Sequence, residues 1–67
     1  MITIQLNGEQ REIPAGLTVT GLLKQLQFPA DRVAVERNLE IVPRSRWDGT
    51  SIEAGDRLEV VHFVGGG

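Results

Sequence analysis

Cysteine is absent from this 67-residue sequence. Without it the chain can form no disulfide and no thiolate metal site, and no side chain can carry sulfur as a persulfide. Histidine occurs once, at His62, with no obvious second ligand nearby in the sequence. We therefore expect neither a metal site nor a catalytic base, and we interpret His62 as a structural strand residue.

Long apolar runs and a surplus of basic charge are also missing. No apolar run approaches the roughly 18 to 20 residues that cross a bilayer, and the N-terminus has no charged-then-apolar signal pattern. Seven Lys and Arg stand against nine Asp and Glu, which gives a formal net charge of −2. Such a surface does not suit a phosphate backbone. We expect a cytoplasmic protein with no nucleic-acid or membrane partner.

An enclosed active site is not expected either. A domain of this size buries only about 60% of the surface of its unfolded chain. The glutamates are scattered among predicted turns and exposed strand positions, and none is paired at a spacing that suggests acid-base catalysis. The chain itself is therefore not predicted to be an enzyme, nor to bind a cofactor.

The N-terminal third carries the pattern of a β-hairpin. Apolar residues alternate over residues 1–6, which predicts a strand. Asn7-Gly8 is a preferred pair for a two-residue type I′ turn, so residues 9–13 should pair antiparallel with the first strand. Pro14-Ala15-Gly16 then ends the second strand.

A short amphipathic helix follows. Thr18 is a good N-cap, and the residues after it have the i, i+3, i+4, i+7 spacing of one apolar stripe, namely Val19, Leu22, Leu23 and Leu26. Because Pro29 disfavours helical geometry at Phe28, the helix should end near residue 27 or 28.

The second half predicts three more strands. Val33 to Val35 and Ile41-Val42 are short strands, separated by a turn over residues 38–40 that Asn38 can open. Residues 44–49 are predicted to be irregular or 3₁₀, and Glu53 to Asp56 to form a turn. The strongest strand pattern, residues 58–64, comes last.

Together these elements predict an α+β fold of the ubiquitin-like β-grasp type. One helix covers one face of a mixed sheet of four to five strands, and the last strand lies parallel to the first in its centre. The domain would span residues 1–64, followed by a flexible glycine tail over residues 65–67.

The tail is where chemistry is expected. Gly65, Gly66 and Gly67 can extend roughly 10 Å. Because they lack Cβ atoms, they can enter a slot too narrow for other residues. The Gly67 carboxylate could then be placed in line with a nucleotide phosphate and activated as an acyl-adenylate. An activating enzyme would supply the ATP and Mg²⁺. A frayed terminus is the plainer interpretation of such a tail.

Two surface segments are candidate docking sites for partners. Val61 and Phe63 fall on the face of the last strand opposite Leu58 and Val60, so they should stay partly open beside the tail. Arg44 and Arg46 could complement an acidic groove. Such arginines are more often simply solvated, and Trp47 is expected to be a satellite packing residue.

The whole chain resembles the thiamine-biosynthesis sulfur carrier (ThiS) family. The resemblance rests on the Asn7-Gly8 turn, Pro14-Ala15-Gly16, the Ile41 to Arg44 run with Trp47, Ala54-Gly55-Asp56 and the Gly66-Gly67 end. Gly65 lengthens the usual double-glycine ending by one residue.

This resemblance implies three kinds of partner. An E1-like adenylyltransferase would adenylate Gly67, a sulfur donor such as a cysteine desulfurase or rhodanese-type protein would supply sulfur for a thiocarboxylate, and thiazole synthase would consume it. A molybdopterin synthase small subunit, a ubiquitin-like protein modifier and a non-covalent β-grasp binding module are the alternatives.

Overall fold

The first two strands form the predicted hairpin. In the computed structural model, which describes residues 1–63, β1 (Ile2–Leu6) pairs antiparallel with β2 (Glu9–Ile13). Asn7 and Gly8 have φ values of 50° and 83°. Positive φ at both central residues is the requirement of a type I′ turn, so the predicted turn type is confirmed.

The helix begins where the sequence predicts and ends earlier. Thr18 is the N-cap of α1 (Val19–Gln25), and its hydroxyl accepts a hydrogen bond from the Gly21 N–H at 3.1 Å. The predicted end near residue 27 or 28 is wrong. Gln27 has a φ of 61°, its N–H donates to the Lys24 carbonyl, and the Phe28 N–H donates to the Leu23 carbonyl. These two bonds make a Schellman motif, which ends the helix before Pro29 can.

A second two-residue hairpin joins β3 (Val33–Arg37) to β4 (Glu40–Ile41). Asn38 and Leu39 form its turn, with φ values of 52° and 72°. The sequence predicts a turn over residues 38–40 and a strand over Ile41-Val42, but the strand begins one residue earlier, at Glu40 opposite Arg37, and ends at Ile41. A 3₁₀ turn over Ala30–Arg32 precedes β3 and was not predicted.

The last strand, β5 (Arg57–His62), lies in the middle of the sheet. The strand order is β2-β1-β5-β3-β4, with β5 parallel to β1 and antiparallel to β3. This central parallel placement is confirmed. The sequence predicts this strand over residues 58–64, but it begins one residue earlier, at Arg57, and ends at His62, so that Phe63 already lies outside it. Val64, the domain boundary at residue 64 and the glycine tail lie outside the described residues.

One face of the sheet carries the core. The α1 helix and the 3₁₀ segment Arg44–Gly49 pack together over that face, as the helix-on-sheet prediction requires. Among residues 1–63, the buried apolar side chains are Ile4, Leu6, Ile13, Val19, Leu22, Leu23, Val33, Val35, Trp47, Ile52, Leu58 and Val60. Trp47 therefore belongs to the main core, and its prediction as a satellite residue is wrong. Within residues 1–63, no helix has the length and apolar character needed to cross a membrane.

Candidate functional site

The candidate site is the end of β5 and the sheet face beside it. Gly65, Gly66 and Gly67 lie outside the described residues, so the structure describes the base from which the tail departs. Phe63, the last described residue, donates its backbone N–H to the Arg32 carbonyl at 2.8 Å. This bond continues the β3–β5 ladder one residue past the end of β5. The chain is thus held by the sheet up to residue 63.

Strand alternation places one set of β5 side chains on the face that the helix leaves uncovered. Val61 is opposite Ala34 on β3, and Ile41 on β4 belongs to the same face. The exposed fractions are 59% for Val61, 49% for Phe63 and 65% for Ile41. We call Ile41, Val61 and Phe63 the open patch. The predicted exposure of Val61 and Phe63 is confirmed, and their role in docking stays a prediction.

The two arginines predicted as possible docking residues are both exposed, but their surroundings differ. The Arg44 guanidinium carbon lies 5.1 Å from the centroid of the Trp47 ring, so its cation is attracted to that aromatic face. Arg46 lines a groove of about 140 Å³ together with Ile41. Arg46 therefore shares a groove with one residue of the open patch, Ile41, whereas Arg44 lies over the ring of the core tryptophan.

A buried carboxylate that the sequence did not single out fixes the start of β5. Asp56 is 6% exposed, and it accepts hydrogen bonds from Arg37 Nε at 2.8 Å, Asn38 Nδ2 at 3.1 Å and the Glu53 N–H at 2.8 Å. Burial raises the pKa of the Asp56 carboxyl, but the hydrogen bonds from Glu53, Arg37 and Asn38 and the charge of Arg37 lower it further. The net pKa lies below its ordinary value, so the carboxylate form is stabilised.

Asn7 has a second role beyond the turn. Its side-chain Oδ1 accepts from the Val60 N–H at 2.8 Å, and its Nδ2 donates to the Val60 carbonyl at 3.3 Å. The side-chain amide thus satisfies β5 backbone groups beyond the described β1–β5 pairs, which reach Leu6 and Leu58. The sequence identified Asn7 only as a turn residue, because a contact across 53 positions leaves no local signal.

The remaining features of residues 1–63 offer no second chemical centre. His62 lies in β5, as predicted, with its ring centroid 6.2 Å from that of Phe28. A groove of about 620 Å³ runs along β1 and the turn at Ala54-Gly55, and Arg57 is the one ionisable side chain among its lining residues. In the described part of the chain, no three His, Cys, Asp or Glu residues are close enough together to hold a metal ion.

Comparisons with known proteins give one consistent family. The model of the ThiS family matches residues 4–67. A protein from Bacillus subtilis named "Sulfur carrier protein ThiS" is 38% identical over 65 residues, which cover 96% of this chain and 98% of that protein. A crystal structure of a thiamine biosynthesis protein (ThiS) from Geobacter metallireducens superimposes with a TM-score of 0.86 at 35% identity. The match covers 98% of this chain and all of that one.

A larger protein also contains a similar stretch. A thiazole synthase from Paramagnetospirillum magneticum is 50% identical over 62 residues, which cover 92% of this chain and 19% of the enzyme. The chain therefore spans about a fifth of the length of that relative.

Proposed function

This chain belongs to the ThiS family, and we propose that it is a sulfur carrier protein of thiamine biosynthesis whose acyl terminus is the Gly67 carboxylate. The observation that carries the proposal is the reach of the family match, which runs from residue 4 through residue 67 and so includes all three tail glycines. The β-grasp fold of the Geobacter protein supports it. The chain is a co-substrate of its partner enzymes and not itself a catalyst.

The first chemical step is activation of the tail. A Gly67 carboxylate oxygen attacks the α-phosphorus of ATP, pyrophosphate leaves, and an acyl-adenylate forms. The E1-like adenylyltransferase supplies the site for ATP and Mg²⁺. In such sites Mg²⁺ is held by one or two carboxylates together with the substrate phosphates. Glycine at positions 65–67 allows the enzyme's backbone to approach the tail closely.

The second step exchanges oxygen for sulfur. A sulfur nucleophile attacks the acyl carbon and AMP leaves. If the donor is a persulfide on a cysteine desulfurase or rhodanese-type protein, the product is an acyl disulfide. A thiol then attacks the donor's cysteine sulfur, forms a disulfide with it and releases the thiocarboxylate. Because this chain has no cysteine, the persulfide must be carried by another protein, and the thiol must come from another protein or from a small molecule.

The thiocarboxylate then delivers sulfur to a thiazole synthase. The likeness of the chain to a fifth of the Paramagnetospirillum enzyme supports this choice of acceptor over molybdopterin synthase. The role of the β-grasp body is to hold out the tail and to present a recognisable surface. Asn7 and Asp56 contribute by tying β5 to its two neighbouring strands. Asn7, which follows β1, accepts a hydrogen bond from Val60, and Asp56, which precedes β5, accepts one from Arg37 of β3.

Intact-mass spectrometry tests the proposal. The chain is incubated with the E1-like adenylyltransferase of the same organism, ATP, Mg²⁺ and a sulfur donor. We expect a mass gain equal to the replacement of one oxygen by sulfur, located at Gly67 by fragmentation. An adduct joined to a lysine would favour the protein-modifier alternative, and an unchanged mass would favour a non-covalent binding module. Omitting ATP is the control that separates adenylation from other modification.

A further inference from the structure

An uncompensated pair of carboxylates lies within the open face. Glu36 on β3 and Glu59 on β5 are directly opposite each other in the antiparallel register. Like charges in this position destabilise a sheet, because Cβ atoms of opposed residues are only about 4.5 to 5.5 Å apart. Both side chains are half-buried, which limits the water available to screen them.

No cation of the described chain relieves this pair. Within residues 1–63, no Lys or Arg nitrogen lies within 4.0 Å of either carboxylate. Arg37, the sequence neighbour of Glu36, points to the opposite face and forms its ion pair with Asp56. Arg57 shares a face with Glu59 but makes no ion pair among those residues.

Apolar side chains adjoin the carboxylates on the same face. Ile41 is directly opposite Glu36 on the other side of β3, and Val61 follows two residues after Glu59. Both apolar residues are more than half exposed. The two carboxylates therefore form a negatively charged site beside exposed apolar side chains. Glu59 lies on β5, the strand that leads to the tail.

We propose that Glu36 and Glu59 together receive one cationic side chain of the activating enzyme, an arginine or lysine set among apolar residues that cover Val61 and Ile41. This proposal rests on the proposed function, and it names the chemistry by which the enzyme recognises the carrier. A guanidinium can donate to both carboxylates at once, which neutralises the repulsion as the complex forms. The activating enzyme is the chosen occupant because it must recognise the chain before any modification has occurred.

The test compares isosteric variants in two measurements. Glu36→Gln and Glu59→Gln remove one charge each without changing shape, and Glu12→Gln is the matched control, because Glu12 is on the same sheet face but on the edge strand β2. Affinity for the E1-like adenylyltransferase is measured by isothermal titration calorimetry, and the melting temperature of each free variant by calorimetry. We expect affinity to fall about tenfold for each of the two variants and not for the control. The melting temperatures of Glu36→Gln and Glu59→Gln should be equal to or above that of the wild type.

Each outcome separates this inference from the proposed function. Wild-type affinity in both variants overturns the inference, even if the chain is adenylated normally. Loss of affinity for thiazole synthase alone, or for a second copy of this chain, also overturns it, because the occupant would then be another protein. Failure of the wild-type chain to bind the enzyme or to be adenylated removes the proposed function, and this inference with it.

Discussion

The two faces of β5 differ in what they contribute. On the covered face, Leu58 and Val60 are 0% and 7% exposed and pack beneath α1. On the open face, Val61 is 59% exposed, although it directly follows Val60 in the same strand. The difference shows that a domain of this size concentrates its stability on one side of the sheet. Side chains on the other side are then free to serve recognition, and they can even include a repulsive pair such as Glu36 and Glu59.

The largest effect on stability is expected from truncation on the covered face. Leu58→Ala should lower the free energy of unfolding by about 3 to 4 kcal/mol, because it removes buried methyl groups and leaves a cavity. Val61→Ala, three residues along the same strand, should change it by less than about 0.5 kcal/mol. Urea unfolding of both variants measures the contrast, and equal losses would mean that the open face also carries the core.

Asp56→Asn should have the next largest effect. It weakens the charged hydrogen bond from Arg37, and we expect a loss of about 2 kcal/mol near neutral pH. Since the folded-state pKa of Asp56 lies below its ordinary value, its contribution is complete above about pH 4 and is lost as pH falls through the folded pKa. The stability difference between wild type and variant should therefore shrink in acid. A pH-independent difference in urea titrations would contradict this account of Asp56.

The two hairpin turns allow a reciprocal exchange with a smaller effect. Gly8 and Leu39 occupy the same turn position with φ values of 83° and 72°, but a leucine there is strained by roughly 1 kcal/mol. Gly8→Leu should lower the unfolding free energy by about that amount, and Leu39→Gly should raise it. Chemical denaturation of the two variants checks the signs. A loss of stability in Leu39→Gly would show that the 75% exposed leucine side chain packs in a way that offsets its backbone.

The smallest effect on stability is expected from the open patch. Phe63→Asp should leave the unfolding free energy within about 0.5 kcal/mol of wild type. Affinity for the activating enzyme should nevertheless fall about tenfold or more, because a charge would be placed in an apolar contact. Calorimetry of binding and of unfolding measures both quantities. Unchanged affinity would remove Phe63 from the docking surface. The affinity of Arg44→Ala, which changes the arginine over the Trp47 ring, is measured for comparison.

The sequence was sufficient for those features that depend on local chemistry. Asn7-Gly8 specifies its turn in two residues, and Thr18 specifies the helix start by a side-chain cap. The helix end was not predictable in the same way, because the left-handed residue of its Schellman motif is Gln27 and not glycine. The second turn was predicted from Asn38, but its second residue, Leu39, is not glycine either, and the turn was predicted one residue too long.

The contacts that position the candidate site are long-range and were missed. Arg37 and Asp56 are 19 positions apart, and only the paired strands bring them together. The opposition of Glu36 and Glu59 likewise depends on the register of β3 against β5, which a one-residue slip would abolish. Alternation along β5 was enough to predict the open positions of Val61 and Phe63, because strand periodicity is a local property.

The most direct test of the proposed function is sulfur transfer by a chain that lacks Gly67. This variant still ends in two glycines, so it keeps the composition of the tail while moving the carboxylate back by about 3.5 Å. We predict that thiocarboxylate formation, followed by intact mass over time with the adenylyltransferase, ATP and a sulfur donor, will be at least tenfold slower than in the 67-residue chain. Thiocarboxylate formation and thiazole production at the full rate would contradict the assignment of Gly67 as the acyl terminus.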